Sequence, residues 1–255
     1  MERIYWLGPD QQEPFPPVEK ALREPDGLLA AGGDLSPPRL LDAYRCGIFP
    51  WYSTDQPILW WSPAQRTVFD TAGMHVTRRL ARWSRHCSWS IKADTAFAEV
   101  MLACAAPRSG AHGTWINNDM FDAYCHLHQL GHAHSIEAWD GKLLVGGIYG
   151  IALGRMFFGE SMFSAATNGS KVALLALCRG LHQWGFPLLD AQVASDHLFT
   201  MGAYEMPRAA FCSRVADLTQ AHGAEGSWHE CFPIQRVAEI AEGHDRSDIG
   251  GNQLE

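Results

Sequence analysis

Residues 154–164, Gly-Arg-Met-Phe-Phe-Gly-Glu-Ser-Met-Phe-Ser, set one carboxylate, Glu160, among large apolar side chains. Met156, Phe157 and Phe158 precede it, and Met162 and Phe163 follow. Alternation through Phe157, Gly159, Ser161 and Phe163 predicts a β-strand whose two faces differ. A carboxylate in such surroundings loses hydration, so it needs hydrogen-bond partners or a chemical task. A structural glutamate held by backbone groups satisfies this pattern as well as a functional one does.

Working outward, 132–139, 143–151 and 155–163 read as three strands with short turns. Asp140-Gly141 is a strong hairpin signal and Leu153-Gly154 supplies the second turn. A helix is expected from Asn168 to about Trp184, apolar at Val172, Leu174, Leu175, Cys178 and Leu181, then a strand over 186–192. Shorter helices should cover 194–202 and 207–218. Upstream lie a strand near 67–69, a helix opened by Thr77, a strand at 88–91 and a helix from Asp94 to about Cys104. A further helix is capped by Asn118, buried through Met120, Tyr124 and Leu127, and stopped by Gly131.

Helices followed by an antiparallel meander, a helix and one more strand give an α+β layout. The order matches an acetyltransferase-like (GNAT-type) domain with a mixed, mostly antiparallel sheet, a fold-level analogy that fixes no chemistry. Such domains hold coenzyme A pyrophosphate on a glycine-rich loop before the long helix. Here the loop over 164–171 has one glycine, Gly169, which disfavours coenzyme A and points to another acyl carrier. Residues 1–64 form a Pro- and Gly-punctuated module. In it Ser36-Pro37-Pro38 starts a short helix, and Trp51, Trp60 and Trp61 supply a small core or an aromatic platform. The expected division is therefore a small N-terminal domain over 1–64, a catalytic domain over 65–223 and a polar, partly disordered extension over 224–255.

A formal net charge of −8 disfavours nucleic acid on its face, but the distribution says otherwise. No acid occurs between Asp70 and Asp94, a stretch carrying Arg78, Arg79, Arg82, Arg85 and Lys92 with Trp83 and Trp89 interleaved. On a helix Arg78, Arg82 and Arg85 share a face, which suits phosphate contacts as well as a merely solvated surface. Seven scattered cysteines fit reduced thiols, and no run of the chain has membrane-spanning or signal-peptide character, so a cytoplasmic protein without membrane contact is expected. The histidines at 126, 128, 132 and 134 have poor metal geometry, since His126 and His128 point about 200° apart on a helix. Nucleophile-elbow, P-loop and dinucleotide fingerprints are absent. Asp190 and Gln192 end a strand on one face, where a carboxylate beside an amide aligns a nucleophile or steadies an oxyanion, or simply serves a turn.

Glu24-Pro25-Asp26-Gly27-Leu28-Leu29, Gly32-Gly33-Asp34-Leu35-Ser36, Gly47-Ile48-Phe49-Pro50-Trp51 and Leu59-Trp60-Trp61-Ser62-Pro63 form an ordered series. It continues through Gly113-Thr114-Trp115-Ile116, Gly131-His132-Ala133-His134-Ser135-Ile136-Glu137 and Leu144-Val145-Gly146-Gly147-Ile148-Tyr149-Gly150, and ends with Phe158-Gly159-Glu160-Ser161-Met162-Phe163-Ser164 and Asp190-Ala191-Gln192. From about residue 20 to 215 the series resembles the bacterial leucyl/phenylalanyl-tRNA–protein transferase family. The resemblance implies transfer of Leu or Phe, less readily Met, from aminoacyl-tRNA to proteins with N-terminal Arg or Lys, marking them for degradation. It implies no metal and no cofactor. It assigns catalysis to Asp190 and Gln192, the aminoacyl and terminal-adenosine site to Trp51, Trp115, Phe157 and Glu160, and tRNA binding to Arg78, Arg79, Arg82 and Arg85. The chain departs from the family pattern at Ile148, where Met is expected, and matches poorly past 224. Glu160 and Glu137 are both candidates for reading the acceptor's cation. Two rival readings are an RNA-binding module using the Arg helix and Trp cluster, and an acyltransferase using coenzyme A or another aminoacyl-tRNA, for instance one adding residues to a cell-wall peptide.

Overall fold

The computed structural model describes residues 3–8, 13–106, 116–224 and 226–242. Strands β1 (Tyr5–Leu7), β2 (Leu28–Gly32), β3 (Phe49–Pro50) and β4 (Leu59–Trp61) form a sheet in the order β1-β2-β4-β3, with helix α1 (Pro37–Arg45) inserted between β2 and β3. The chain then runs through β5 (Gln65–Asp70), α2 (Arg78–Arg85), β6 (Ser90–Ala93), α3 (Phe97–Ala105) and α4 (Asn118–Gln129). The meander β7 (Ala133–Asp140), β8 (Leu143–Leu153) and β9 (Met156–Ser164) follows. Last come α5 (Gly169–Gln183), β10 (Leu188–Gln192), α6 (Asp196–Thr200), β11 (Tyr204–Pro207), α7 (Arg208–Thr219) and α8 (Val237–Glu242).

Seven strands make one mixed sheet in the order β11-β5-β10-β9-β8-β7-β6. Every pairing is antiparallel except β9 with β10, the pair joined by the crossover helix α5. The α+β class with a mixed, mostly antiparallel sheet is therefore the observed one. One core, holding Tyr44, Trp60, Phe97, Tyr124, Phe158 and Phe211, lies between the sheet, α3, α4, α7 and the N-terminal elements. The other, holding Phe157, Leu174, Leu177, Trp228 and Phe232, lies under α2, α5 and α8.

The quoted stretch is β9, but its alternation is interrupted. Gly159 pairs with Gly150 and Ser161 with Tyr149, so Glu160 is the extra residue of a β-bulge. A bulge shifts the two-residue period by one. Phe157 faces the α5 core and Phe158 the α4 core, whereas beyond the bulge Met162 faces the α5 core and Phe163 the other. Phe157 and Phe163 thus do not share a face, a correction to the simple alternation.

Three further differences have local causes. Helix α3 begins at Phe97, not Asp94, because Asp94 accepts hydrogen bonds from Ser135 N (3.0 Å) and Trp228 N (2.8 Å) at φ 56°. Its first turn is held instead by Glu137, which accepts from Thr95 N (3.1 Å) and Ala96 N (3.2 Å). Strand β11 was not anticipated, since four residues ending in Pro carry little periodic signal. The polar stretch past 224 supplies core residues: Trp228, Phe232, Ile234, Val237 and Ile240 are buried, and Trp228 stacks on His134 with centroids 3.9 Å apart. Residues 243–255 lie outside the described residues. No helix among the described residues is long and apolar enough to cross a membrane.

Candidate active site

Strands β9 and β10 run paired only through Met156–Phe158 and Leu188–Asp190, as Leu188↔Met156, Leu189↔Phe157 and Asp190↔Phe158. Beyond that both are bulged. Glu160 is the extra residue of β9, and Ala191 is unpaired between Asp190 (opposite Val68) and Gln192 (opposite Thr67). The strands part there, and the opening is the mouth of a pocket of about 520 Å³. Ile148, Met162, Leu174, Leu189 and Phe69 give it an apolar wall. Glu160 and Gly159 line one side, Asp190 and Gln192 the other, and Ser195, His197 and Leu198 the rim. A Cβ on Gly159 would sit 3.3 Å from the Asp190 carbonyl oxygen, so the absence of a side chain lets the two strands stay close where they begin to split.

Asp190 is fully buried, and its carboxylate is clamped by Arg66 of β5, also buried. Arg66 Nε donates to Oδ1 at 2.8 Å and Nη2 to Oδ2 at 2.7 Å, a bidentate ion pair. The third donor, Nη1, reaches Gly47 O at 3.1 Å, and the guanidinium carbon lies 4.6 Å from the ring centres of both Phe49 and Phe211. Gln192 N donates to Asp190 Oδ1 at 3.0 Å and Gln192 Nε2 lies 3.5 Å from Oδ2. Gln192 holds a left-handed backbone, φ 58°, a strained state for a non-glycine residue that the bulge and this hydrogen bond keep in place. Asp190 and Gln192 are thus brought together, as their spacing suggested. Both oxygens of Asp190 are thus engaged, Oδ1 by Arg66 Nε and Gln192 N and Oδ2 by Arg66 Nη2.

Glu160 is held differently. Tyr44 OH of α1 donates to Oε1 at 2.6 Å and Tyr124 OH of α4 to Oε2 at 3.2 Å, and the two hydroxyls also contact each other. Burial pushes its carboxyl up to about 7, the tyrosine hydrogen bonds work against that rise, Asp190 adds to it and Arg66 opposes it. Burial drives both phenols well above their ordinary range, so they remain donors. One carboxylate is locked in an ion pair, and the other changes its charge near neutrality.

Glu137 is buried and spends its oxygens on Thr95, Ala96 and Ser135 Oγ (2.6 Å), so it is a helix cap and not part of the pocket. Phe157, expected in the pocket, lies on the same α5 side as the wall residues Ile148 and Met162 but is buried with its ring centre 5.8 Å from that of Trp228 and does not line the pocket. Trp51 is 45 % exposed, takes a hydrogen bond on its carbonyl from Trp61 Nε1 (2.6 Å), and does not line the pocket. Trp115 lies outside the described residues. Helix α2 is capped by Thr77 Oγ1, which accepts from Leu80 N at 3.2 Å. Arg78, Arg79, Arg82 and Arg85 are all exposed on it. His75 N, just before α2, donates to Met201 O, just after α6, so the arginine helix starts beside the pocket rim. His128 Nδ1 lies 2.7 Å from Ala133 O, and His134 Nδ1 lies 2.9 Å from Asp94 Oδ2. Among the described residues no three His, Cys, Asp or Glu side chains converge as a metal site would require.

In the sequence Tyr124 stands out only as part of a buried helix stripe, and no role is assigned to Arg66 or Tyr44. The available signal was a charge inside an otherwise apolar strand, Arg66-Thr67-Val68-Phe69, whereas the tyrosines read as ordinary core.

Two family models match the chain: the leucyl/phenylalanyl-tRNA protein transferase N-terminal domain over residues 33–64 and leucyl/phenylalanyl-tRNA protein transferase over 68–216. A leucyl/phenylalanyl-tRNA–protein transferase of Xanthomonas campestris pv. campestris (strain B100) is 55% identical over 92% of this chain and 95% of its own length. One from Xylella fastidiosa (strain 9a5c) is 52% identical over 92% of this chain and 98% of its own. Likeness to solved structures is weak: L-PGS from Bacillus licheniformis has a TM-score of 0.35 at 8% identity, covering 66% of this chain and 53% of that one. On the match to both family models and to these relatives, the chain belongs to the leucyl/phenylalanyl-tRNA protein transferase family.

Proposed function

We propose that the chain transfers Leu or Phe, and less readily Met, from aminoacyl-tRNA to proteins whose N-terminal residue is Arg or Lys, in the cytoplasm, marking them for degradation. The observation that carries this reading is an apolar pocket with Glu160 on one side and the Asp190–Gln192 pair on the other, opening where β9 and β10 part. An unbranched-at-Cβ apolar side chain suits such a wall, and two polar centres suit an ester and an amine brought together.

The reaction is aminolysis of an activated ester. The acceptor's amine forms a C–N bond to the aminoacyl carbonyl, the bond to the ribose oxygen of the terminal adenosine breaks, and that oxygen takes up a proton as the amine loses one. Gln192, held by Asp190, aligns the carbonyl and the amine. Glu160, ionising near neutrality, is the group suited to exchange the amine's proton or to meet the acceptor's cation. Arg78, Arg79, Arg82 and Arg85 contact tRNA phosphates, which makes binding sensitive to salt and tolerant of tRNA sequence. The exposed Trp51 contacts the terminal adenosine outside the apolar wall, and Trp115 is a further candidate for that contact. The two sheets support a division into an N-terminal domain over 1–64 and a catalytic domain from 65, since the first sheet ends with Trp61 and the second starts with Gln65.

A transfer assay with labelled Phe-tRNA or Leu-tRNA and peptides beginning with Arg, Lys or Ala, without metal or coenzyme A, tests the reading. Product on Arg and Lys but not Ala is expected. Tight tRNA binding with no product on any peptide sinks it in favour of an RNA-binding module.

A further inference from the structure

We infer that Arg66 is a positioning residue for the transfer reaction, and that through it the 47–50 stretch of the N-terminal module supports the active site. The inference rests on the reading of Asp190 and Gln192 given above. Arg66 does not line the pocket, so it has no route to substrate of its own. What it touches is Asp190, through two parallel N–H bonds of 2.8 and 2.7 Å that fix the plane of the carboxylate. That plane in turn sets where Gln192 N and Nε2 meet it, at 3.0 and 3.5 Å. A lysine ammonium carries the same charge but offers no planar fork, so it leaves the carboxylate free to rotate.

Three further residues, from two parts of the chain, fix the guanidinium. Phe49 of β3 covers one side and Phe211 of α7 another, each ring centre 4.6 Å from the guanidinium carbon, while Gly47 O takes the third donor at 3.1 Å. Gly47 has φ +72°, and a Cβ there would lie 2.9 Å from Cys212 Sγ, so its carbonyl is aimed by a turn that only glycine fits. Gly47 follows α1 and Phe49 belongs to β3 of the small sheet, both far in sequence from Asp190. The small module thus contributes to the geometry of Gln192 without reaching the pocket.

The test compares the full-length protein with Arg66→Lys, Asp190→Asn and the double variant in the Phe-tRNA assay with an Arg peptide. Thermal melting and Phe-tRNA binding are measured on each. Arg66→Lys is expected to lose on the order of tenfold in kcat, with KM for Phe-tRNA within about twofold of wild type. The double variant should be no slower than Asp190→Asn alone, because residues acting as one unit are not additive. Should Arg66→Lys not fold, Phe211→Leu replaces it, leaving the ion pair and loosening one wall, and again kcat should fall at constant KM. An unchanged kcat in Arg66→Lys (or in Phe211→Leu, where that variant stands in), or losses that multiply in the double variant, overturns the inference. Absence of transfer by the wild-type protein is a separate result, and it overturns the functional reading itself.

Discussion

Asp190 and Glu160 stand at neighbouring strand bulges on opposite sides of one pocket, and both are carboxylates withdrawn from water. Asp190 meets a guanidinium bidentately and stays an acceptor for Gln192. Glu160 meets two phenols, which donate hydrogen bonds but bring no charge, and its carboxyl rises to about 7. The partners differ in kind: a guanidinium holds Asp190 in a bidentate ion pair, whereas at Glu160 burial outweighs two phenol hydrogen bonds and the carboxyl rises. In an aminolysis site both behaviours have uses: one group to hold an amide still, another to follow a proton.

The strongest way to break this contrast is to remove each carboxylate in turn. Asp190→Ala leaves Arg66 buried and unpaired, a change that costs about 3–5 kcal/mol in comparable buried pairs. Glu160→Gln removes a charge that burial already disfavours and should change stability at neutral pH little or favourably. Urea unfolding at pH 7 reads both. Equal losses in the two variants mean that Asp190 and Glu160 are not electrostatically different.

The second effect is a pH dependence. Because the folded-state carboxyl of Glu160 lies at about 7, above its ordinary 4.5, the folded protein holds a proton that the unfolded chain has released over that interval. The stability this group contributes is therefore full below pH 4.5 and is lost as pH rises through 7. The loss should be on the order of 2 kcal/mol, allowing for the solvent the group still touches. Glu160→Gln should erase this component from the stability profile. In transfer assays it should also remove a limb near pH 7, leaving the titration of the acceptor amine itself. Identical profiles for wild type and Glu160→Gln would return Glu160 to a neutral structural role.

How far these two sites were legible in the sequence follows from what periodic patterns encode. The strands, the meander and α5 were readable because alternation and helical stripes repeat over many residues. The bulges were not, since one extra residue leaves composition unchanged and only reverses the faces beyond it. That reversal hid which faces Met162 and Phe163 take. Asp190 beside Gln192 was legible from spacing, but Arg66 comes from a strand 124 positions away, and nothing local marks such a pairing. The C-terminal anchors Trp228, Phe232, Ile234, Val237 and Ile240 are single apolar residues in a polar stretch, invisible to average composition and decisive once they meet α2, α5 and β6.

The contrast extends to the cations. Arg66 is buried in an ion pair, whereas Arg82 is exposed on α2. Arg82→Ala should weaken Phe-tRNA binding by about 1 kcal/mol at low salt, and should flatten the dependence of log Kd on log salt by roughly one phosphate contact, a slope change of about 0.7–0.9. Filter binding from 50 to 200 mM salt measures it. An unchanged slope removes α2 from the tRNA interface and leaves its arginines as a solvated face.

The smallest effect tests the apolar wall that separates the two carboxylates. Ile148 of β8 lies opposite Met162 of β9 and both line the pocket, so the side chain at 148 helps set its width. A β-branched residue keeps its methyl groups close to the backbone, while methionine reaches further and bends more readily. Ile148→Met should therefore shift the ratio of kcat/KM for Leu-tRNA against Phe-tRNA by a few fold, under about 1 kcal/mol, since one methylene of apolar contact rarely discriminates more. Stability should hardly change, because the substitution nearly conserves volume. Competition between the two aminoacyl-tRNAs for one Arg peptide reads the ratio directly. A large fall in both rates, with the ratio constant, would show that position 148 supports the geometry of Glu160 through Tyr149 and the bulge rather than the width of the pocket.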